Sequence, residues 1–196
     1  MAKALEDLRA FIAHRVREGF ESAHEIVENA TDYASGKFER DFGPEAKRLT
    51  AELLAAHQAE QLGWGPSTDC DRLDEAFAAL NRRGIVARQD FSCCNKCGFA
   101  EIWDEVDEAE KQQPVEGYVF YHLQCTERVI KTGQLLIAYG CLEENPVAFQ
   151  RLGNAVVAEL RRVGLDASWG GTTGHPIVVD GMVWRRRTPE DAASET

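Results

Sequence analysis

No stretch of this chain approaches the ~20 consecutive apolar residues needed to cross a bilayer. No N-terminal segment has the apolar centre of about 7–15 residues that marks a secretory signal; Met1–Val16 is charged throughout. The chain is therefore expected in the cytoplasm and off the membrane. Thiols stay reduced there, so its six cysteines read as metal ligands, reactive thiols or buried apolar residues rather than disulfides. Positive charge is also scarce: 22 Lys and Arg against 33 Asp and Glu leave a net charge of −11. Such a surface repels phosphates and excludes a nucleic-acid partner. The best local basic stretch, Trp184–Arg187, reads as an exposed strand end. There is no Gly-x-Ser-x-Gly elbow, His-Glu-x-x-His, Walker loop or dinucleotide fingerprint. Trp169–Pro176 has three glycines but no Lys-Ser/Thr ending, and reads as a hairpin loop.

What is present is an ordinary globular balance of 44% apolar and 28% charged residues. Leu5, Leu8, Ile12, Val16 and Phe20 fall on one stripe of a helix. Ser22 with Glu25 makes a capping box before a second helix, and Pro44 opens a third, carrying Leu49, Leu53 and Ala56. Gly63–Thr68 breaks the pattern. Helices and strands then alternate. Thr68 or Asp69 caps a helix that Gly84 ends, before a strand in Gly84–Phe91. Glu101–Gln113 is a short acidic helix, Gly117–His122 a strand and Cys125–Gly133 a helix. A strand at Gln134–Gly140, a helix over 149–160 closed by Gly164, and two last strands complete the order. Ala76–Ala87 echoes Val156–Ala167 in the pattern helix, glycine, strand. The fold class is α+β: an N-terminal helical segment (1–65) and an α+β domain (66–188) with a mixed, largely antiparallel sheet. The expected sheet has helices on one face, with a ferredoxin-like tendency. The small, polar, acidic end (189–196) is expected to be disordered.

The densest chemistry is Phe91–Ile102, where Cys93, Cys94 and Cys97 crowd into five residues and Gly98 follows. Cys94 and Cys97 form C-x-x-C, half a zinc site, with glycine letting the backbone turn around an ion. His122 and Cys125 form H-x-x-C, so the whole reads C-x2-C-x24-H-x2-C, four donors suited to tetrahedral zinc. Cys93 can replace any of the four; adjacent cysteines seldom both bind one ion, so one of Cys93 and Cys94 is expected to be buried or free. Three other readings stand beside zinc. One is a redox C-x-x-C, against which the motif is expected to lie outside a strand-to-helix turn. Another makes Cys125 a nucleophile with His122 as base. The third is plain burial. Cys70 and Cys141 read as core. His122, Gln124, Thr126 and Glu127, with Glu101 after the cysteine turn, outline a polar pocket with acid–base potential, or simply a capped helix. His14, His24 and His57 read as surface or interface residues without a ligand partner at i+4.

The segments "CDRLDEAFAAL", "GIVARQDFSCCNKCGFAEI", "GYVFYHLQCTE", "LLIAYG" and "WRRR" resemble a bacterial family of unknown function, numbered 6891. Its pattern has a DRLD-x-AF helix, a CC-x-x-CG turn and an FYH-x-QDTE segment. The resemblance implies no activity. Cys125 replaces the family's Asp, an exchange compatible with a metal ligand or a helix cap and unfavourable to an essential thiol nucleophile.

The reading is a non-enzymatic binding or regulatory protein with an unknown protein or small-molecule partner, possible homodimer, and a structural zinc site formed by Cys94, Cys97, His122 and Cys125, any of which Cys93 can replace. The alternative is a small enzyme or thiol-reactive protein using His122, Cys125 and Glu127.

Overall fold

The computed structural model describes residues 2–37, 41–143 and 145–189; of the tail expected to be disordered, 189–196, all but residue 189 lies outside the described residues. The chain divides into two compact units, 1–66 with 185–196, and 67–184. The division falls inside the Gly63–Thr68 stretch.

The first unit holds α1 (Ala2–Glu18), α2 (Ala23–Ser35) and α3 (Gly43–Gln61). Leu8, Ile12 and Val16 bury the predicted stripe against Ile26, Ala30, Ala46 and Leu49. The Ser22–Glu25 capping box forms in both directions, and Pro44 sits in the first turn of α3. On α3 the second buried leucine is Leu54 rather than Leu53, and Ala56 faces solvent. Residues 185–188 return to this unit instead of forming an exposed strand end. Arg186 is buried with its guanidinium 4.3 Å from the Phe20 ring, and its carbonyl lies 3.0 Å from His57 Nε2. An arginine plane stacks on an aromatic face and loses less on desolvation than an ammonium would. Two helix histidines do have partners four residues on: His14 meets Glu18 at 3.1 Å and His24 meets Glu28 at 3.6 Å.

The second unit contains α4 (Asp69–Arg82), β1 (Ile85–Arg88), α5 (Asn95–Glu110), β2 (Gly117–Phe120), α6 (Leu123–Thr132), β3 (Leu135–Cys141), α7 (Pro146–Arg162), β4 (Asp166–Ser168) and β5 (Ile177–Asp180). The sheet order is β1-β2-β3-β5-β4. Among the described residues only β1 and β2 pair in parallel, in register Ile85↔Gly117 to Arg88↔Phe120; the remaining pairs are antiparallel. The α+β class and the mixed, largely antiparallel sheet are therefore those expected. The helices, however, occupy both faces. Ile102 and Val106 of α5 pack on Val86, Tyr118 and Phe120. On the opposite face Phe77 of α4 meets Tyr121 ring-to-ring at 5.7 Å, and Leu152 of α7 approaches Gly117. A parallel pair needs a crossover helix, and α5 supplies it on the side that α4 and α7 leave open.

The echoed units share local structure. Gly84 (φ 79°) and Gly164 (φ 85°) each turn a helix into a strand through a left-handed backbone. Their strands then diverge, β1 pairing in parallel with β2 and β4 antiparallel with β5, at opposite edges of the sheet. Edge strand β1 is closed by a side chain. The Asn81 carboxamide accepts from the Ala87 N–H at 3.0 Å and donates to the Ala87 carbonyl at 3.1 Å, as a neighbouring strand would.

Candidate functional site

Both sulfur-bearing motifs open helices. Cys94 is the N-cap of α5 with Cys97 in its first turn; His122 is the N-cap of α6 with Cys125 in its first turn. This is the spacing of a capping box, in which the N-cap and third helical side chains meet across the first turn. It is why C-x-x-C and H-x-x-C each bring two side chains together. The expectation that C-x-x-C lies outside a strand-to-helix turn is overturned. The motif joins β1 to α5 inside a parallel β1–α5–β2 unit, because α5 begins at Asn95 rather than near Glu101.

The turn before α5 is held in an unusual shape. Asp90 (φ 48°) and Ser92 (φ 67°) are the non-glycine residues with positive φ among those described, a conformation most side chains avoid. The start of α6 supports it. The Thr126 hydroxyl donates to Asp90 Oδ1 at 2.5 Å, the Phe91 N–H to the Tyr121 carbonyl at 2.8 Å, and the Leu123 N–H to the Ser92 carbonyl at 3.2 Å. Thr126 is thus a brace for the cysteine turn, not the cap of its own helix.

The sulfurs of Cys93, Cys94 and Cys97 all lie within 4.8 Å of one another. Cys93 is exposed and the other two are half-buried. Cys94 makes no side-chain cap hydrogen bond of ordinary geometry. Still, the Cys97 backbone amide faces its sulfur and is the first cause holding the Cys94 thiol below its usual range; the Cys97 and Cys93 thiols add to it. Cys97 is the donor in this arrangement, and hydrogen bonding to Cys93 and then Cys94 pushes it up to about 11. The cluster therefore favours one thiolate, on Cys94, and keeps Cys97 protonated.

His122 and Cys125 form a separate contact, Nε2 to Sγ at 3.4 Å, and are not part of the three-sulfur group. Both are buried. Burial lowers the His122 pKa and raises that of Cys125. A protonated thiol beside a neutral imidazole is the reverse of the thiolate–imidazolium pair that a cysteine nucleophile needs. His122, Gln124 and Cys125 line a cleft of about 420 Å³. Glu127 is outside its walls, 3.8 Å from Lys131, and Glu101 lies on an exposed stretch of α5. The cleft does include Asn95, Arg128 and His175, residues without any short-range signal in the sequence. Elsewhere Cys70 is buried, whereas Cys141, expected in the core, is half-buried at the end of β3 with its thiol 3.5 Å from the Glu116 carbonyl.

Fold and site together define an α+β protein with a thiol cluster at a helix N-terminus. The chain belongs to the family described as "Domain of unknown function (DUF6891)", whose pattern matches residues 1–188. No curated protein and no solved structure matches it. No helix among the described residues is long and apolar enough to cross a membrane.

Proposed function

We propose that this is a cytoplasmic binding or regulatory protein that holds one zinc ion on Cys93, Cys94 and Cys97. The observation that carries the reading is the mutual approach of three sulfurs within 4.8 Å. Around tetrahedral zinc, with Zn–S near 2.3 Å, sulfurs stand about 3.8 Å apart, so closure asks for at most roughly 1 Å of change in any separation. Thiolate donors suit zinc and other soft ions over calcium or magnesium. The Cys94 thiolate offers a first bond, and displacement of the Cys97 proton makes affinity rise with pH. Three protein donors leave a fourth position for a partner's side chain or a small ligand, which suits a regulatory site. The protonation states of His122 and Cys125 weigh against the enzyme alternative.

Elemental analysis of protein purified without oxygen tests this. One zinc per chain is expected, lost in Cys94→Ser/Cys97→Ser and kept in Cys125→Ala. Metal-free protein with three freely titrating thiols overturns it.

A second reading, dithiol–disulfide exchange between Cys94 and Cys97, is favoured by their place in the β1–α5 turn and by the opposite shifts of their thiols. Treatment with glutathione disulfide, followed by intact mass, separates the two. Exchange yields a chain lighter by two hydrogens with Cys94 and Cys97 linked, whereas bound zinc protects both.

A further inference from the structure

The cleft beside α6 is built unlike the rest of this protein. The chain carries 33 Asp and Glu and a net charge of −11, yet among the described residues no carboxylate lines the cleft, whereas Arg128, His122 and His175 do. Its volume, about 420 Å³, is in the range that takes a small metabolite. Phe99, Leu136, Ala138, Phe149 and Pro176 give it apolar walls. We propose that this cleft binds a small organic anion, a carboxylate carried on an aromatic or branched apolar body.

The polar groups gather where an anionic head would sit. Asn95 is the first residue of α5, His122 is the N-cap of α6 and Gln124 lies in the first turn of α6, so two helix N-termini open on one cavity. Neither helix has a side-chain cap, and each N-terminus carries partial positive charge. A further observation points to a missing partner. His122 is only 7% exposed, and its Nδ1 has no hydrogen-bond partner. Buried polar groups are rarely left so without a ligand or water to meet them. Its other ring nitrogen is taken up by Cys125 at 3.4 Å. Arg128 uses one guanidinium nitrogen on Gln134 Oε1, at 2.5 Å, which leaves the rest of its fork for a carboxylate. The His175 ring is held by the Thr172 hydroxyl at 3.1 Å and closes the cleft from the β4–β5 hairpin loop.

The inference is independent of the zinc reading, because none of the three clustered cysteines lines the cleft. The test uses full-length protein treated with chelator and kept reduced, with anilinonaphthalene sulfonate, an aromatic anion, as fluorescent probe. A saturable one-to-one rise in fluorescence is expected. Phenylpropionate should displace the probe, and its neutral amide should do so at least about tenfold more weakly. Arg128→Gln, an exposed substitution, should weaken probe binding about tenfold, and Ala138→Leu should weaken it by filling the wall. Thermal melts identify any variant that has lost its fold, in which case His175→Ala serves as the second variant of the polar lining. Absence of saturable binding, equal displacement by acid and amide, or full binding by a folded Arg128→Gln would each overturn the proposal. Zinc stoichiometry is read separately, so failure of either proposal leaves the other intact.

Discussion

Gly98 lies flat against the ring of Phe120: a Cβ on Gly98 would come within 2.8 Å of Phe120 Cζ. The glycine after the cysteine motif is a buried helical residue of α5, not the flexible turn its position suggested. Its lack of a side chain lets the first turns of α5 press onto β2. Alanine is better than glycine in a helix by about 1 kcal/mol, so on propensity alone Gly98→Ala would stabilise. Phe120 is fully buried and has nowhere to move, and overpacking a core costs roughly 1–3 kcal/mol. Gly98→Ala should lose about 1 kcal/mol or more in urea unfolding and reduce zinc retention by shifting Cys94 and Cys97. A stabilised variant would show that the α5–β2 contact is looser than described.

Asn81 does for β1 what a sixth strand would do. Replacing it with leucine keeps the bulk but leaves the Ala87 N–H unpaired on a buried residue, 5% exposed, while the Ala87 carbonyl keeps its bond from Arg88 Nη1 at 2.9 Å. Unpaired buried groups cost about 1–3 kcal/mol each. Asn81→Leu should destabilise by about 1–3 kcal/mol, and the Ala87 amide should lose protection from hydrogen exchange before those of β2. Unchanged exchange at Ala87 would contradict this.

The thiols of the cluster should react in a fixed order in metal-free protein. The thiolate is the nucleophile, so a lowered pKa moves reactivity to lower pH and a raised one to higher pH. Cys94 should alkylate with iodoacetamide below the ordinary thiol range, and Cys97 should resist until the pH nears about 11. Peptide mapping after timed labelling at several pH values gives the order. Cys97 reacting first would mean that the hydrogen bonds run the other way.

His122 should make the second unit acid-sensitive. Burial lowers its folded pKa below the unfolded value of 6.5, so as pH falls through 6.5 the unfolded chain takes up a proton that the folded one refuses. Stability falls over that window and levels off once the folded imidazole also protonates. His122→Asn should lack this component of the acid loss, seen by comparing urea midpoints at about pH 7.5 and 5.5, roughly one unit either side of the unfolded imidazole's pKa. Equal losses in both proteins would place the sensitivity elsewhere.

Much of the framework was legible because its signals are local. Ser22 with Glu25, the cap at Thr68 and Pro44 mark helix starts through atoms a few residues apart. Gly84 and Gly164 mark helix ends because only a left-handed backbone makes those turns. The start of α5 was not legible. Cys94-Asn95-Lys96 has no strong helix signal, and the residue that resembles a breaker, Gly98, is there for packing. The burial of Arg186 was equally hidden, since its partner Phe20 lies at the other end of the first unit's sequence.

The crowding of Cys93, Cys94 and Cys97 follows from sequence alone: five residues at a helix start cannot carry three sulfurs far apart. The same holds for His122 and Cys125, three positions apart across one helical turn. Whether those two groups merge, and what surrounds them, was decided by tertiary structure. The parallel pairing of β1 with β2 brings the starts of α5 and α6 to one end of the sheet, and residues from Asn95 to Pro176 then line one cleft. Spacing along a chain limits what neighbours can do, but only packing among distant segments determines which side chains share a cavity.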